Sequence, residues 1–414
     1  MRDEILTHLN DPGQLEKLYR QNRQSFKSAF NTLYPDLQDS PLAVFWHERL
    51  NYLHEEITWG TRKDLYFVVG AVLLAGIIAK IPAIFVIEED FFYPRNIGFI
   101  FFPFLTAFFG WKNALQVRQI IFLTVVTGVA LVFINSLPDN ENSDTLVLSC
   151  IHLLLFLWSV LGLAFTGSRF GNYDKRLAYL RFNGDLLVMA ALLTIAGVIL
   201  TGITVGLFSL IGVEIEKFYF EYVVFFGLPA IPIVATYLTQ TNPQLVNKVS
   251  PVIARLFSPL VLVMLLAYLI AIVYAGKDPY NDREFLLIFN LLLIGVMALI
   301  FFSVAETSRV AQRRAATFIL FLLSVLTITV NGIALSAILF RISEWGITPN
   351  RAAVLGSNLL ILVNLLLVTV SLYQVLTKKA DIADVGSRIA AFLPIYSIWI
   401  IIVTFLFPLL FWFR

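Results

Sequence analysis

The stretch LLVMAALLTIAGVILTGITVGLFSLIG, residues 186–212, carries no charged side chain and is long enough to cross a lipid bilayer. A bilayer core of about 30 Å takes roughly 20 helical residues, because each residue advances a helix by about 1.5 Å. Similar stretches recur from about residue 64 to the end of the chain, in which 58% of residues are hydrophobic and 14% are charged. A soluble domain could not bury that much apolar surface. We therefore predict an all-α, polytopic membrane protein.

Eleven apolar segments are predicted to form transmembrane helices. The second is the weakest, because its uncharged part, residues 97–111, is short and Pro103 interrupts it. It is therefore either a span or a re-entrant segment. The predicted spans lie at about residues 64–87, 94–111, 118–137, 145–166, 185–212, 218–239, 252–275, 283–303, 315–340, 353–376 and 389–413.

The distribution of lysine and arginine favours eleven crossings. With the N-terminus in the cytoplasm and every segment crossing, the cytoplasmic parts hold 22 basic residues and the outer parts hold 7. If the second segment does not cross, the division becomes 14 against 15. Membrane proteins keep their excess of lysine and arginine in cytoplasmic loops. The sequence thus predicts a cytoplasmic N-terminus and a C-terminus outside.

Residues 1–63 are predicted to form a cytoplasmic amphipathic helical hairpin, ahead of a transmembrane bundle at residues 64–414. Proline-containing pairs at residues 11–12, 34–35 and 40–41 predict where its first helix starts, where that helix ends and where the second starts. The second helix is expected to run to about Glu56, with these apolar residues: Val44, Phe45, Leu50 and Leu53. This hairpin either packs on the bundle or docks a partner or a lipid surface.

Polar side chains within the predicted spans are the main functional candidates, because they are costly in lipid and need partners. Asn331 and Asn364 lie mid-span in the ninth and tenth segments, where they either bond helix to helix or line a substrate or water path. Lys80 is the basic residue deep in the first span. It either extends to the outer interface or pairs with a substrate anion or a carboxylate.

Other chemistry is sparse in this sequence. Four histidines lack the paired spacing of metal ligands, and a single cysteine, Cys150, cannot form a disulfide within the chain. We therefore assign no catalytic, metal or cofactor-binding residues and no cofactor. The net charge of +2 is too small to indicate nucleic-acid binding.

One glycine spacing occurs in the fifth span. Gly202 and Gly206 form a Gly-x-x-x-Gly pair, a spacing that lets two helices approach closely. In so crowded a bundle we expect these glycines to pack within the chain.

The segment RISEWGITPNR, residues 341–351, is the most distinctive in the chain. Gly346 suits a turn, Thr348 suits a helix cap and Pro349 suits the first helical position. Arg341 and Arg351 flank one acid, Glu344. The three form a structural clamp, or they leave a guanidinium for an anionic headgroup.

This segment also resembles a signature of a bacterial polytopic membrane family known as domain of unknown function 4153. In that family an arginine, an acid-aromatic-glycine turn, a threonine and a second arginine join two late spans. The matching residues here are Arg341, Glu344, Trp345, Gly346, Thr348 and Arg351. The resemblance covers about residues 64–414. It implies a multi-pass protein of the bacterial inner membrane and implies no mechanism.

Three functions fit this sequence. A permease or transporter of a lipid or small solute fits the many spans and the mid-membrane asparagines. A scaffold, sensor or regulator that binds a protein partner through residues 1–60 fits the lack of catalytic motifs. An enzyme acting on a lipid-linked substrate would use outer acids such as Glu88, Glu89 and Asp90. The first is favoured, and enzymatic activity is the least favoured.

Overall fold

The structure, a computed structural model, describes residues 2–9, 11–21, 23–38, 40–51, 60–140, 142–167, 171–210, 213–247, 249–275, 283–307 and 314–413. Every regular element within these ranges is helical. The chain divides into two compact units, Met1–Trp59 and Gly60–Arg414.

The first unit contains more helices than the hairpin that its sequence predicts. Helix α1 (Arg2–Thr7) was not predicted, and it is followed by α2 (Pro12–Gln21), α3 (Arg23–Leu33) and α4 (Pro41–Asn51). The predicted boundaries are confirmed, because Asp11 accepts a hydrogen bond from the backbone of Gly13 at 3.0 Å and α3 gives way to a tight turn at Tyr34–Asp36. The predicted end of α4, at Glu56, lies outside the described residues.

Aromatic residues form the core of this unit. Phe26 and Phe30 of α3 pack against Trp46 of α4, with ring centroids 5.2 and 6.5 Å from the indole. Of the apolar residues of α4, Trp46 and Leu50 are buried, whereas Val44 and Phe45 are exposed. Predicted Leu53 lies outside the described residues.

An ion-pair cluster joins α2 to α4 on the surface of the same unit. The Glu16 carboxylate accepts a hydrogen bond from Arg20 Nε at 2.9 Å and lies 2.9 Å from Arg49 Nη2. The hydrogen bond from Arg20, followed by the positive charge of Arg49, lowers the pKa of Glu16 from its ordinary value. The Arg49 guanidinium also lies 4.7 Å above the Trp46 ring and links this cluster to the core.

The second unit is a bundle of helices α5 to α19. Two π-helical segments, Tyr219–Val224 and Ile402–Leu406, continue directly into the helices that follow them. The helices are α5 (Arg62–Ala79), α6 (Ile81–Phe85), α7 (Glu89–Lys112), α8 (Val117–Ser136), α9 (Asp144–Thr166), α10 (Tyr173–Leu210), α11 (Glu216–Phe218), α12 (Phe225–Thr241), α13 (Gln244–Asn247), α14 (Val249–Ala275), α15 (Arg283–Thr307), α16 (Arg314–Trp345), α17 (Pro349–Leu376), α18 (Ile382–Ile401) and α19 (Phe407–Leu410).

Nine stretches of the described chain are helical, long and apolar enough to cross a membrane. A multi-pass helical membrane protein is therefore confirmed, whereas the count of eleven spans and the orientation of the termini stay predictions. The first two predicted spans are not among the nine, since α5 begins with Arg62, Lys63 and Asp64 and α7 contains Arg95 and two internal prolines. The nine stretches are Val117–Ser136, Asp144–Thr166, Tyr173–Leu210, Glu216–Thr241, Gln244–Ala267, Phe289–Glu306, Arg314–Trp345, Pro349–Leu376 and Ile382–Leu410.

Helix α7 is continuous and antiparallel to α5. Near one end, Lys112 Nζ lies 2.7 Å from the Asp64 carboxylate, and near the other the Tyr93 hydroxyl donates to the carbonyl of Ala79 at 3.1 Å. The side-chain amide of Asn113, just after α7, donates to the carbonyl of Ala164 at the end of α9, at 2.9 Å. Helix α7 therefore extends along the length of α5.

The buried apolar side chains of the bundle form two large clusters. The first draws on α5, α7, α8, α9, α10, α12 and the end of α18, and the second draws on α14 to α18. Helix α10 packs against α15 and α18 as well as α12, so it joins the two groups of helices.

The expectation that Gly202 and Gly206 pack within the chain is wrong. A methyl group built on either glycine would meet no described atom within 4 Å. These residues lie in the last part of α10, where the apolar side chains Ile203, Leu207 and Leu210 are exposed. That part of α10 therefore presents an apolar surface suited to lipid.

Gly356 is a position where an added methyl group would clash, because its Cα faces the Trp399 indole of α18. We expect Gly356→Ala to lower the free energy of unfolding by about 1–3 kcal/mol, since the indole has to shift. Unfolding in mixed micelles, followed by circular dichroism, measures this. The control Gly332→Ala adds a methyl group that meets nothing within 4 Å, so it should be neutral or stabilising. Equal effects of the two variants would contradict this packing.

Candidate functional site

A stripe of buried polar side chains runs along one face of α16. Its members recur at helical spacing and lie between α16 and its neighbours, where α17 makes the most extensive contact. This polar stripe consists of Thr317, Ser324, Thr327, Asn331 and Arg341. Predicted site residue Asn331 is thus one of several buried polar residues on α16.

Asn331 belongs to a group of asparagines from three helices. It is fully buried, and its side-chain amide donates to the backbone carbonyl of Asn358 in α17 at 3.2 Å. The side-chain amide of Asn358 donates to Asn290 Oδ1 of α15 at 2.8 Å. The Oδ1 atom of Asn331 is buried without a hydrogen-bond partner in the described chain. These bonds tie α15, α16 and α17 together.

Asn364 belongs to a second group and does not contact Asn331 through a hydrogen bond. Its amide donates to the Tyr396 hydroxyl of α18 at 3.0 Å, and that hydroxyl lies 3.4 Å from the Met297 sulfur of α15. Its Oδ1 is also buried without a hydrogen-bond partner in the described chain. A buried carbonyl oxygen without a donor is costly, so both asparagines retain an unused acceptor.

Lys80 lies at the junction of α5 and α6, where it contacts aromatic rings. Its Nζ is 4.8 Å from the centre of the Tyr222 ring and 4.6 Å from that of Phe225. Tyr222 belongs to the π-helical segment before α12, and Phe225 is the first residue of α12. Among described residues no carboxylate forms an ion pair with Lys80, and its described contacts are cation–π contacts with these two rings.

The backbone of the turn between α16 and α17 is as predicted, whereas its side chains make different contacts from those expected. Gly346 has a positive φ of 75°, Thr348 caps α17 by accepting from the backbone of Arg351 at 3.3 Å, and Pro349 occupies the first helical position. Glu344, however, is exposed and forms no ion pair with either arginine. The expected clamp around Glu344 is therefore not formed.

Trp345 takes the place of Glu344 between the two arginines. The guanidinium carbons of Arg341 and Arg351 lie 5.8 and 5.6 Å from the centre of the indole ring. Arg351 Nη1 also donates to the carbonyls of Trp345 and Gly346, at 2.9 and 2.6 Å. These carbonyls end α16 and lack helical partners, so the guanidinium caps that helix.

A cavity of about 190 Å³ lies where α14, α15 and α16 come together near one end of the bundle. Its described lining is mostly apolar, with three polar side chains: Ser258, Ser303 and Glu306. The two serine hydroxyls lie 3.0 Å apart, and Ser258 also donates to the carbonyl of Ala254. The volume holds several waters or a small solute, and it is below the range of about 300 to 1,000 Å³ typical of drug-sized ligands.

A buried ion pair borders this cavity. Arg181 of α10 lies with its Nε 3.5 Å from the Glu306 carboxylate, and its Nε and Nη2 both donate to the carbonyl of Ala305. The Glu306 side chain is 5% exposed and that of Arg181 is 14% exposed. One turn further along α10, Asp185 accepts a hydrogen bond from Ser250 of α14.

This ion pair is not predictable from the spans, because Arg181 and Glu306 lie just outside the predicted spans at 185–212 and 283–303. The helices instead begin and end further out, at Tyr173 and Thr307. The residues that flank both apolar runs are compatible with a helix, and this property could have predicted that the helices extend beyond the apolar runs.

The other candidate chemistry is dispersed. No group of three or more histidine, cysteine, aspartate or glutamate side chains within the described ranges could hold a metal ion. Glu88, Glu89 and Asp90 are exposed where α7 begins, and Asp139 pairs with Arg95 at 3.0 Å. Among the described residues these outer acids therefore belong to no metal-binding group.

The fold and the polar groups define a multi-pass helical membrane protein with a small cavity and a buried polar stripe in the half of the bundle formed by α14 to α18. The chain matches no family model, and no curated protein or solved structure is significantly similar to it. The resemblance to domain of unknown function 4153 therefore stays a prediction.

Breaking the Arg181–Glu306 pair should destabilise the bundle. Removing either charge leaves the other buried, and we expect Glu306→Gln and Arg181→Gln each to cost about 1–3 kcal/mol, less than in a fully buried site because Arg181 is partly exposed. A double-mutant cycle on the unfolding free energy should give a coupling of about 1 kcal/mol or more. The control Asp174→Asn, an exposed acid on α10, should have almost no effect. Additive single effects would contradict a direct interaction.

Proposed function

We propose that this protein is a permease for a small polar solute, with the cavity at Ser258, Ser303 and Glu306 as its cytoplasmic binding site. The observation that carries the proposal is the cavity itself, which places a carboxylate and two hydroxyls in an otherwise apolar chamber within the bundle. Intramembrane carboxylates of this kind mark substrate and ion pathways. The small volume favours a solute of a few non-hydrogen atoms that donates hydrogen bonds.

The polar stripe continues from this site along α16. Leu320 lines the cavity on the same face of α16 that carries Ser324, Thr327 and Asn331. In this state the stripe is closed, because Ser324 bonds to Thr369 and Asn331 bonds to α17. Separation of α16 from α17 would open the stripe to a solute, as alternating access requires.

Helix α14 has a feature that suits movement beside the cavity. Pro259 lies inside α14 and lines the chamber, and a proline within a helix removes one backbone hydrogen bond and permits a bend. Many transporters place interrupted helices at their binding sites.

We infer that all eleven predicted segments cross, with the N-terminus in the cytoplasm of a bacterial cell and the chain in its inner membrane. Helix α7 supports this arrangement, because its ends meet opposite ends of α5 and it ends beside the end of α9. A re-entrant segment would return to the side from which it entered. The cavity then lies on the cytoplasmic side, where α14 and α16 begin and α15 ends.

Two single-cysteine variants test this topology in a Cys150→Ala background. Glu88 precedes α7, Gln116 lies between α7 and α8, and both residues are exposed. On intact cells a membrane-impermeant maleimide should label Glu88→Cys, and it should label Gln116→Cys only after permeabilisation. Labelling of both positions from the same side would show that α7 does not cross.

Alternating access gives a test that needs no identified substrate. Ala316 lines the cavity, whereas Ala334 is fully buried further along the same face of α16. In the same cysteine-free background, Ala316→Cys should react quickly with a cytoplasmic thiol reagent. Ala334→Cys should react from the outside roughly ten- to a thousandfold more slowly, because the outward-open state is a minor one.

The matched control is Ala235→Cys, which is equally buried but lies in α12, away from the polar stripe. It should stay unreactive from both sides. If Ala334→Cys and Ala235→Cys are both unreactive, the stripe is static packing and the permease proposal fails.

A second candidate function, a scaffold or regulator, is favoured by one observation in the first unit. Val44 and Phe45 are exposed neighbours on α4, outside the buried aromatic core of the unit. An exposed apolar pair on a folded unit suits a protein partner or a lipid surface. Loss of a co-purifying partner in Phe45→Ser, without loss of membrane insertion, would support this function.

A further inference from the structure

We infer that the turn between α16 and α17 binds the phosphate of a lipid headgroup, with Arg351 as the principal ligand. The inference is independent of the permease proposal, because it concerns the turn at residues 345–349 and uses none of the cavity residues. The two arginines contact the Trp345 ring and do not pair with Glu344, which leaves their positive charge without this acid as a partner.

The Arg351 guanidinium has N–H groups that form no described hydrogen bond. Its Nη1 is used by the carbonyls of Trp345 and Gly346, and among described residues no carboxylate pairs with it. A guanidinium presents five N–H groups in a planar fork, which suits bidentate binding of phosphate oxygens. The two carbonyls hold one edge of this fork in place, so the remaining donors are oriented before a ligand arrives.

The surroundings of Arg351 are those of a lipid. Trp345 is 53% exposed, and the neighbouring apolar side chains Ile347 and Phe340 are 63% and 38% exposed. Indole rings prefer the boundary between headgroups and acyl chains, and this ring lies where a membrane-competent helix ends. A headgroup phosphate at Arg351 would therefore leave its acyl chains beside exposed apolar side chains of α16.

Arg341 contributes positive charge from within the protein. It is 8% exposed, at the end of the polar stripe, and its guanidinium lies 5.8 Å from the centre of the same indole ring. The nearby acid Glu344 is exposed and bonds to neither arginine. The local balance of two cations against one solvated anion favours a phosphate over a cationic ligand.

Native mass spectrometry of the full-length protein in detergent tests this site, with phosphatidylglycerol as the probe. We expect Arg351→Gln to lower the apparent affinity for the first bound lipid roughly tenfold, as loss of a charge-assisted contact predicts. The matched control is Arg118→Gln, which removes an exposed arginine at the start of α8. It should bind as the wild type does. Equal binding by the Arg351 and Arg118 variants overturns the assignment.

A second variant and two further ligands distinguish lipid binding from protein instability and from binding of phosphate alone. Ile347→Glu adds a carboxylate at an exposed position, so the variant should fold and should lose a similar amount of binding even if Arg351→Gln is unstable. Diacylglycerol, which has the chains without the phosphate, should bind weakly and equally to all variants. Arg351-dependent binding of inorganic phosphate alone, with an affinity equal to that of the lipid, would overturn the assignment to a lipid.

Discussion

The absence of water from the bilayer core is the constraint on which the rest of this structure depends, because every backbone N–H and C=O group there must find a partner within the protein. The bundle meets it with helices, and at two irregular places a side chain bonds a backbone carbonyl. In the π-helical segment before α19, the carbonyl of Thr404 accepts from the hydroxyl of Ser149 in α9. At the end of α16, Arg351 caps two carbonyls in the same way.

The lipid environment also determines which interactions hold the helices together. Lipid tails are as apolar as leucine side chains, so helix association in a membrane depends on close packing and on polar bonds between helices. Both are present in α14 to α18. The absence of a side chain at Gly356 admits the Trp399 ring, and Asn331, Asn358 and Asn290 connect three helices. The polar stripe is therefore structural in this state, and the proposed permeation path is a second use of the same side chains.

The cavity and the ion pair beside it lie at one end of the bundle. Burial of Glu306 is tolerated there because Arg181 supplies a nearby opposite charge and Ala305 accepts two further hydrogen bonds from it. A carboxylate held in this manner next to two serine hydroxyls is a polar chamber in apolar surroundings. Its position, at the start of the polar stripe and beside a proline-containing helix, is the basis for proposing transport over a purely structural role.

By itself, the sequence determined the class of protein and many helix ends, because span length, capping residues and proline positions are local properties. Thr348, Pro349 and Gly346 occupy the positions that their chemistry predicts, and the polar pattern identified Asn331 as a mid-membrane residue. Only the tertiary structure decided which side chains meet. Arg181 and Glu306 are far apart in the chain, the arginines contact Trp345 instead of Glu344, and a methyl group added at Gly202 would meet no described atom within 4 Å. These outcomes depend on how helices are rotated and arranged around one another, and composition and spacing along one chain do not specify that rotation.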